Sequence, residues 1–197
     1  MAFKFFDHGP LIDDDLELVP PEQRLIPEVL RSASHPSTMQ TEPLDVGATS
    51  RRLEEFLKYA PFGHEPPGRV RGRCPAYHFW MRIDPPLPLA IAGSISLRIG
   101  IAPELEMYSG NIGYHVYPPS RGRHYAERAA RLLLPIARYH GMRMLWITCN
   151  PENVASRKTC EHLGATLVDI VNIPRNHEFY NRGERQKCRY RLMLENL

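Results

Sequence analysis

The chain has 197 residues, 43% hydrophobic and 24% charged, which suits one globular domain, since chains of this size bury roughly 70% of their unfolded surface. No run of about 18 apolar residues exists to span a membrane, and the opening MAFKFFDHGPLIDDDLEL lacks the apolar core of a secretory leader, so a cytoplasmic protein is expected. The formal net charge of +3 suits an anionic cofactor without implying nucleic acid, which is disfavoured as a partner.

Residues 1–15 read as a loosely tied tail with three consecutive aspartates, and residues 16–197 as a single domain. Leu16 to Val19 is a short strand stopped by Pro20-Pro21. PEQRLIPEVLRSA follows as a first helix with proline at its start and an interruption near Pro27. His35 to Val46 is loop-like. Ala48 to Ala60 carries Leu53, Phe56 and Leu57 at helical spacing behind a capping Thr49 or Ser50. Pro61 to Pro75 reads as a surface loop, its Arg69, Arg71 and Arg73 either solvated or reaching a substrate or phosphate.

Ala76 to Asp84 and Leu89 to Ile99 form a hairpin about the turn DPPLP, with Gly93 as a place for a bulge. Gly100 to Ser109 is a loop, and Asn111 to Tyr117 is a third strand ended by Pro118-Pro119. Ala126, Ala129, Ala130, Leu133 and Ala137 then make one helical stripe, kinked at Pro135 and ended by Gly141. MLWITC, Met144 to Cys149, is the apolar run of a strand buried on both faces. Pro151 to Leu163 is a helix with Gly164 past its end, and Leu167 to Ile173 and Lys187 to Leu194 are closing strands. This order describes an α+β or mixed α/β fold: a central, mostly antiparallel twisted sheet flanked by helices, with one strand–helix–strand crossover.

Two pieces of that crossover can face one ligand. Ser120-Arg121-Gly122-Arg123-His124 lies where a strand hands over to a helix, whose first amides lack internal partners and whose dipole is positive. A diphosphate accepts such donors; Gly122 admits close approach, and Arg121 and Arg123 add charge. The alternative is an ordinary basic helix start. On the second helix, Asn153, Ser156, Cys160 and Leu163 share one face. Asn153 either caps that helix or meets a ligand, and Ser156 and Cys160 either pack or react. The four cysteines (Cys74, Cys149, Cys160, Cys188) read mainly as small reduced side chains, and the nine histidines show no metal-ligand grouping, so no metal is expected.

From about Ala92 to Ala165 the sequence resembles the GNAT family of acetyl-CoA-dependent N-acetyltransferases. The family's coenzyme motif is Gln/Arg-x-x-Gly-x-Gly/Ala; Arg121 to Ala126 matches its first and last positions and carries His124 where glycine is usual. NPENVASRKTCEHLGA resembles the family's later Asn-x-x-Ser motif. The resemblance implies that the amides of Arg121, Gly122, Arg123, His124, Tyr125 and Ala126 hold the diphosphate of acetyl-CoA. It implies that the backbone of Val116 pairs with the pantetheine arm, and that Asn153 and Ser156 touch the arm from the other side.

Acetyl transfer to an amine needs a base, an oxyanion donor and an acid for the departing thiolate. The strand from Tyr114 to Tyr117 can supply a backbone N–H to the oxyanion. Cys160 stands where many family members place a tyrosine acid, and a thiol of pKa about 8.5 can do that work. For the base the sequence offers Glu106, Tyr108 and His115, or a water. The leading expectation is direct acetyl transfer to a small-molecule or protein amine, with homodimerisation left open. The alternatives are a coenzyme-binding module with little turnover and a transferase of larger acyl groups.

Overall fold

The computed structural model describes residues 3–67, 74–84 and 88–196. Arg69, Arg71 and Arg73 of the basic loop lie outside the described residues. The chain builds one nine-stranded sheet from β1 (Leu11–Asp13), β2 (Leu16–Val19), β3 (His64–Glu65), β4 (Ala76–Ile83), β5 (Ile91–Arg98), β6 (Ile112–Val116), β7 (Met144–Cys149), β8 (Thr166–Asn172) and β9 (Gln186–Met193). The spatial order is β1-β2-β4-β5-β6-β7-β9-β8, with β3 paired to β4. All pairings are antiparallel except β6 with β7. That mixed, mostly antiparallel sheet and its single crossover match the expected fold class.

Helices cover both faces. On one side lie α1 (Ile26–Ala33), α2 (Pro36–Thr41) and α3 (Val46–Tyr59); on the other lie α4 (Tyr125–Tyr139) and α5 (Val154–His162), while α6 (Glu178–Asn181) is a short turn beyond β8. The large core joins Ala129, Ala130, Leu133 and Ala137 of α4 to Phe79, Met81, Ile95 and Leu97 of the sheet. A second cluster packs Val29 and Ile26 of α1 against Trp80 and Ile91 on the opposite face. β8 closes the sheet as an exposed edge, leaving Leu167, Val168 and Ile170 open.

The structure corrects several local expectations. Of the stretch 1–15, the described residues 3–15 are bound to the body rather than loosely tied. Residues 11–13 are β1, the Phe6 amide donates to the Tyr77 hydroxyl at 2.6 Å, and Phe5 stacks on His64 with ring centroids 4.2 Å apart. Pro27 sits in the first turn of α1, where a missing N–H costs nothing, and so does not interrupt the helix. The expected loop from His35 to Val46 contains α2, whose cap is His35. Asp45, not Thr49 or Ser50, caps α3 by accepting from Ala48 N at 2.9 Å. Gly100 to Ser109 is not a plain loop but ends in a π-helical turn, Leu105–Ser109.

The junction of β6 and β7 positions the site. Asn111 pins them together: its N–H donates to the Trp146 carbonyl at 2.6 Å, and its Oδ1 accepts from Trp146 N at 2.9 Å. Register between the two strands is then kept at Ile112↔Ile147 alone, and beyond it they part. Arg98 N bonds Asn111 O, and Tyr117 N bonds Ala92 O. By antiparallel alternation, the backbone polar groups of Tyr114 and Val116 therefore turn away from β5 into the gap. At Gly93 the β5–β6 contact is too close for any side chain, since a Cβ would stand 2.0 Å from the His115 carbonyl; the β4–β5 register slips beside it.

Candidate active site

The turn from β6 into α4 is built by backbone geometry. Pro118 to Ser120 form a single 3₁₀ turn, and Gly122 (φ 81°) and His124 (φ 58°) take the left-handed conformation. His124 is thus the residue before α4, and its side chain makes no cap to the helix. Gly122, Arg123 and His124 are exposed here, and the first amides of α4 point out of the helix end without intrahelical partners. Tyr125 and Ala126 are buried, so only their backbone faces the turn. The Tyr125 ring belongs to the core, its hydroxyl donating to Asp15 at 2.6 Å.

Arg121 departs from its expected place. Its amide bonds the Pro118 carbonyl, and its guanidinium turns inward, donating to the Val116 carbonyl at 2.9 Å and pairing with Glu42. Glu42 also meets His115 Nε2 at 2.7 Å. Burial pushes the Glu42 carboxyl up, but His115 and Arg121 outweigh it and hold the group below its usual range. Val116 therefore carries an arginine on its free carbonyl at the mouth of the gap.

On α5, Asn153 is an exposed cap accepting from Ser156 N at 3.1 Å. Ser156 is buried and meets the Tyr114 hydroxyl at 2.8 Å across the parting strands. Burial raises the Tyr114 pKa well above that of free tyrosine, so the hydroxyl keeps its proton and can donate.

Cys160 lies beneath the Tyr114 side chain and away from solvent. It is fully buried, in contact with Cys149, and a hydrogen bond with Cys149 together with burial pushes its thiol far up. Glu106 is not a free carboxylate. Glu106 pairs with Arg189 at 3.1 Å and its carbonyl accepts from Arg189 Nε at 2.8 Å. The Tyr108 ring lies against His177, and its carbonyl accepts from Thr148 Oγ1 at 2.6 Å.

The opposite face of the sheet carries groups that the sequence reading missed. A cleft of about 1430 Å³ lies between α3, the π-helical turn and residues 176–182, with Glu55, Glu104, His177 and Arg182 on its walls. A narrower space of about 280 Å³ runs from it along β4, β5 and β6 to Tyr114 and His115, sharing Phe56, His78 and Arg98 with the larger cleft. The register His78↔Ser96↔Gly113 and Trp80↔Ser94↔His115 lines these residues up on one face. His78 Nε2 is 3.0 Å from an oxygen of Glu65, which is only 6% exposed. A signal existed: His78, Ser94, Ser96 and Arg98 are the polar alternates of two otherwise apolar strands.

The sequence model of the acetyltransferase (GNAT) domain matches residues 15–166. The chain belongs to the GNAT acetyltransferase family. No curated protein sequence matches it. Among solved structures, the GNAT chain is similar to the microcin C7 self-immunity acetyltransferase MccE in complex with acetyl-CoA and AMP: 15% identity, 96% of this chain and 98% of that one, TM-score 0.67. It is similar to the Salmonella typhimurium acetyltransferase that modifies the N-terminal serine of ribosomal protein L7/L12: 15% identity, 92% and 96% coverage, TM-score 0.62. It is also similar to RimL, the ribosomal L7/L12 α-N-protein acetyltransferase, in complex with coenzyme A as a cysteine disulfide: 15% identity, 94% and 98% coverage, TM-score 0.65. At these identities the likeness is one of fold.

Proposed function

We propose that this GNAT protein transfers the acetyl group of acetyl-CoA to a primary amine by direct attack, with His78 as the general base. The observation that carries this is the pairing of an unfilled strand position beside β6 with a polar cleft on the same strand's other side. The residues fit the coenzyme: Tyr114 turns its backbone N–H and carbonyl and Val116 its N–H into the gap, and the amides of 122–126 form a helix start suited to a diphosphate. Bound there, acetyl-CoA supplies an acetyl thioester. Arg123 adds positive charge beside the diphosphate, and a backbone N–H of the Tyr114–Val116 strand stabilises charge on the acetyl oxygen.

The amine enters through the cleft, and His78 accepts its proton while Glu65 holds the imidazole. As the C–N bond forms and the C–S bond breaks, the Tyr114–Ser156 pair returns a proton to the sulfur. A cleft of about 1430 Å³ exceeds the roughly 300–1,000 Å³ of small-molecule pockets. It favours an amine on a larger acceptor such as a polypeptide terminus, as in the L7/L12-modifying neighbours. Four free cysteines and this co-substrate both suit the reducing cytoplasm.

The test is amine-dependent release of free coenzyme A thiol across peptides and small amines, run beside a thermal melt. Acetyl-CoA at about 100 times its dissociation constant should add roughly 2.7 kcal/mol, a rise on the order of 5–10 °C. No shift at millimolar acetyl-CoA overturns the coenzyme reading. A shift without thiol release on any amine leaves a coenzyme-binding module, and release only with longer acyl thioesters leaves the larger-acyl reading.

A further inference from the structure

The end of α5 returns beside the start of α4 and brings His162 onto two side chains more than thirty positions earlier in the sequence. His124 precedes α4, Glu127 is in its first turn, and His162 is the last residue of α5. Glu127 Oε2 stands 3.3 Å from His124 Nδ1 and 3.3 Å from His162 Nδ1. The three ligand atoms all fall within 4.8 Å of one another. The two imidazoles lie nearly parallel, centroids 5.5 Å apart at 27°.

These distances are long for hydrogen bonds, which for nitrogen and oxygen centre near 2.9–3.0 Å. They match another geometry. Zinc bonds imidazole nitrogen and carboxylate oxygen at about 2.0–2.2 Å in a tetrahedron, and two donors so held stand roughly 3.3–3.5 Å apart. Two of the three edges are thus already at the length that an ion requires, and a modest turn of the exposed imidazoles closes the third.

We propose that His124, Glu127 and His162 form a binding site for a divalent transition-metal ion of the zinc class, stapling the start of α4 to the end of α5. The carboxylate is prepared for the role. Its other oxygen, Oε1, accepts from Arg131 at 3.1 and 3.2 Å, and Arg131 in turn donates to the His162 carbonyl at 2.6 Å. One arginine therefore fixes both the carboxylate and the backbone carrying the third ligand, the orienting contact that metal sites characteristically have. Two nitrogens and one oxygen select zinc, copper, nickel or cobalt over magnesium or calcium, which prefer oxygen alone. Three protein ligands leave a fourth position to water or an incoming oxygen. Sequence spacing alone gives no sign of the grouping, because His162 follows His124 by 38 positions and no short motif links them.

The test uses the untagged full chain, freed of metal and titrated with Zn²⁺ by calorimetry, then with Co²⁺ by absorption. The expected result is one equivalent bound, with affinity falling at least roughly tenfold in both His162→Gln and Glu127→Gln, since losing even an outer-shell partner costs that much. Far-UV circular dichroism of the variants shows that they fold. The Co²⁺ spectrum should carry ligand-field bands without a thiolate charge-transfer band. Absence of stoichiometric binding, binding unchanged in both variants, or a thiolate band assigning the ion to the cysteines would each overturn the proposal. None of these readouts depends on acetyl transfer.

Discussion

His78 and Glu65 come from adjacent strands, and the partnership turns an ordinary imidazole into a held one. The carboxylate is buried at 3.0 Å from Nε2, so it fixes the ring's orientation, as the proposed base requires. His115 has a carboxylate of its own in Glu42, but that carboxylate also binds Arg121 and ties His115 to the diphosphate end of the site. Replacing His78 with glutamine keeps the volume and a hydrogen-bond partner for Glu65 but removes the base. The expected loss in kcat is about 10²–10⁴-fold, with little change in KM for acetyl-CoA. An unchanged kcat in steady-state assays would move the base elsewhere in the cleft. Tyr114, on β6, remains protonated because it is buried, which suits the proton donor proposed for it and not a base.

At the scale of elements, the site depends on where β6 leaves β7 and where two helices begin. Asn111 bolts the strands together at one end, and past Ile112 the gap opens. α4 begins from a left-handed residue and presents bare amides, whereas α5 begins from a side-chain cap. Asn153 is that cap, accepting from Ser156 N, and Ser156 is the residue that meets Tyr114. Asn153→Ala should cost about 1 kcal/mol, seen as a fall of roughly 2–4 °C in the melting temperature of a chain this size. If Asn153 also touches the coenzyme, the midpoint of acetyl-CoA binding rises with it. A variant that melts like the parent would show that the cap contributes nothing to α5.

Across the whole molecule, the first fifteen residues close the structure by crossing from the sheet's outer edge to α4. Arg128 binds Asp13 and Asp15, each at 2.7 Å, while Tyr125 donates to Asp15. The Tyr125 hydroxyl, helped by Arg128, holds the Asp15 carboxyl below its usual range. The unfolded chain carries an ordinary carboxyl near pKa 3.9, so the native state takes up this proton less readily than the unfolded one. The resulting stability is complete above about pH 5 and is lost as pH falls through the depressed native value. Asp15→Asn should therefore lower stability near neutral pH and flatten the acid limb of a melting-temperature profile. Parallel profiles for parent and variant would separate Asp15 from acid unfolding.

What the sequence determined by itself was local. Period-two and helical patterns gave β4 to β9, α4 and α5 within a few residues, and the turn around Arg121-Gly122-Arg123 could be read as a phosphate-facing helix start because sterics and the bare helix end act between neighbours. The same local logic erred where partners are remote. Cys160 looked reactive on its helix face, yet packing against Cys149 buries it; Glu106 looked like a spare carboxylate, yet Arg189, 83 positions away, takes it. Only the tertiary structure set His78 beside Glu65 over the cleft, tied His115 to Glu42 across 73 positions, and closed His162 onto His124 and Glu127. A charge or a donor acquires its role from what faces it in a medium of low dielectric, and the fold decides which residues face each other.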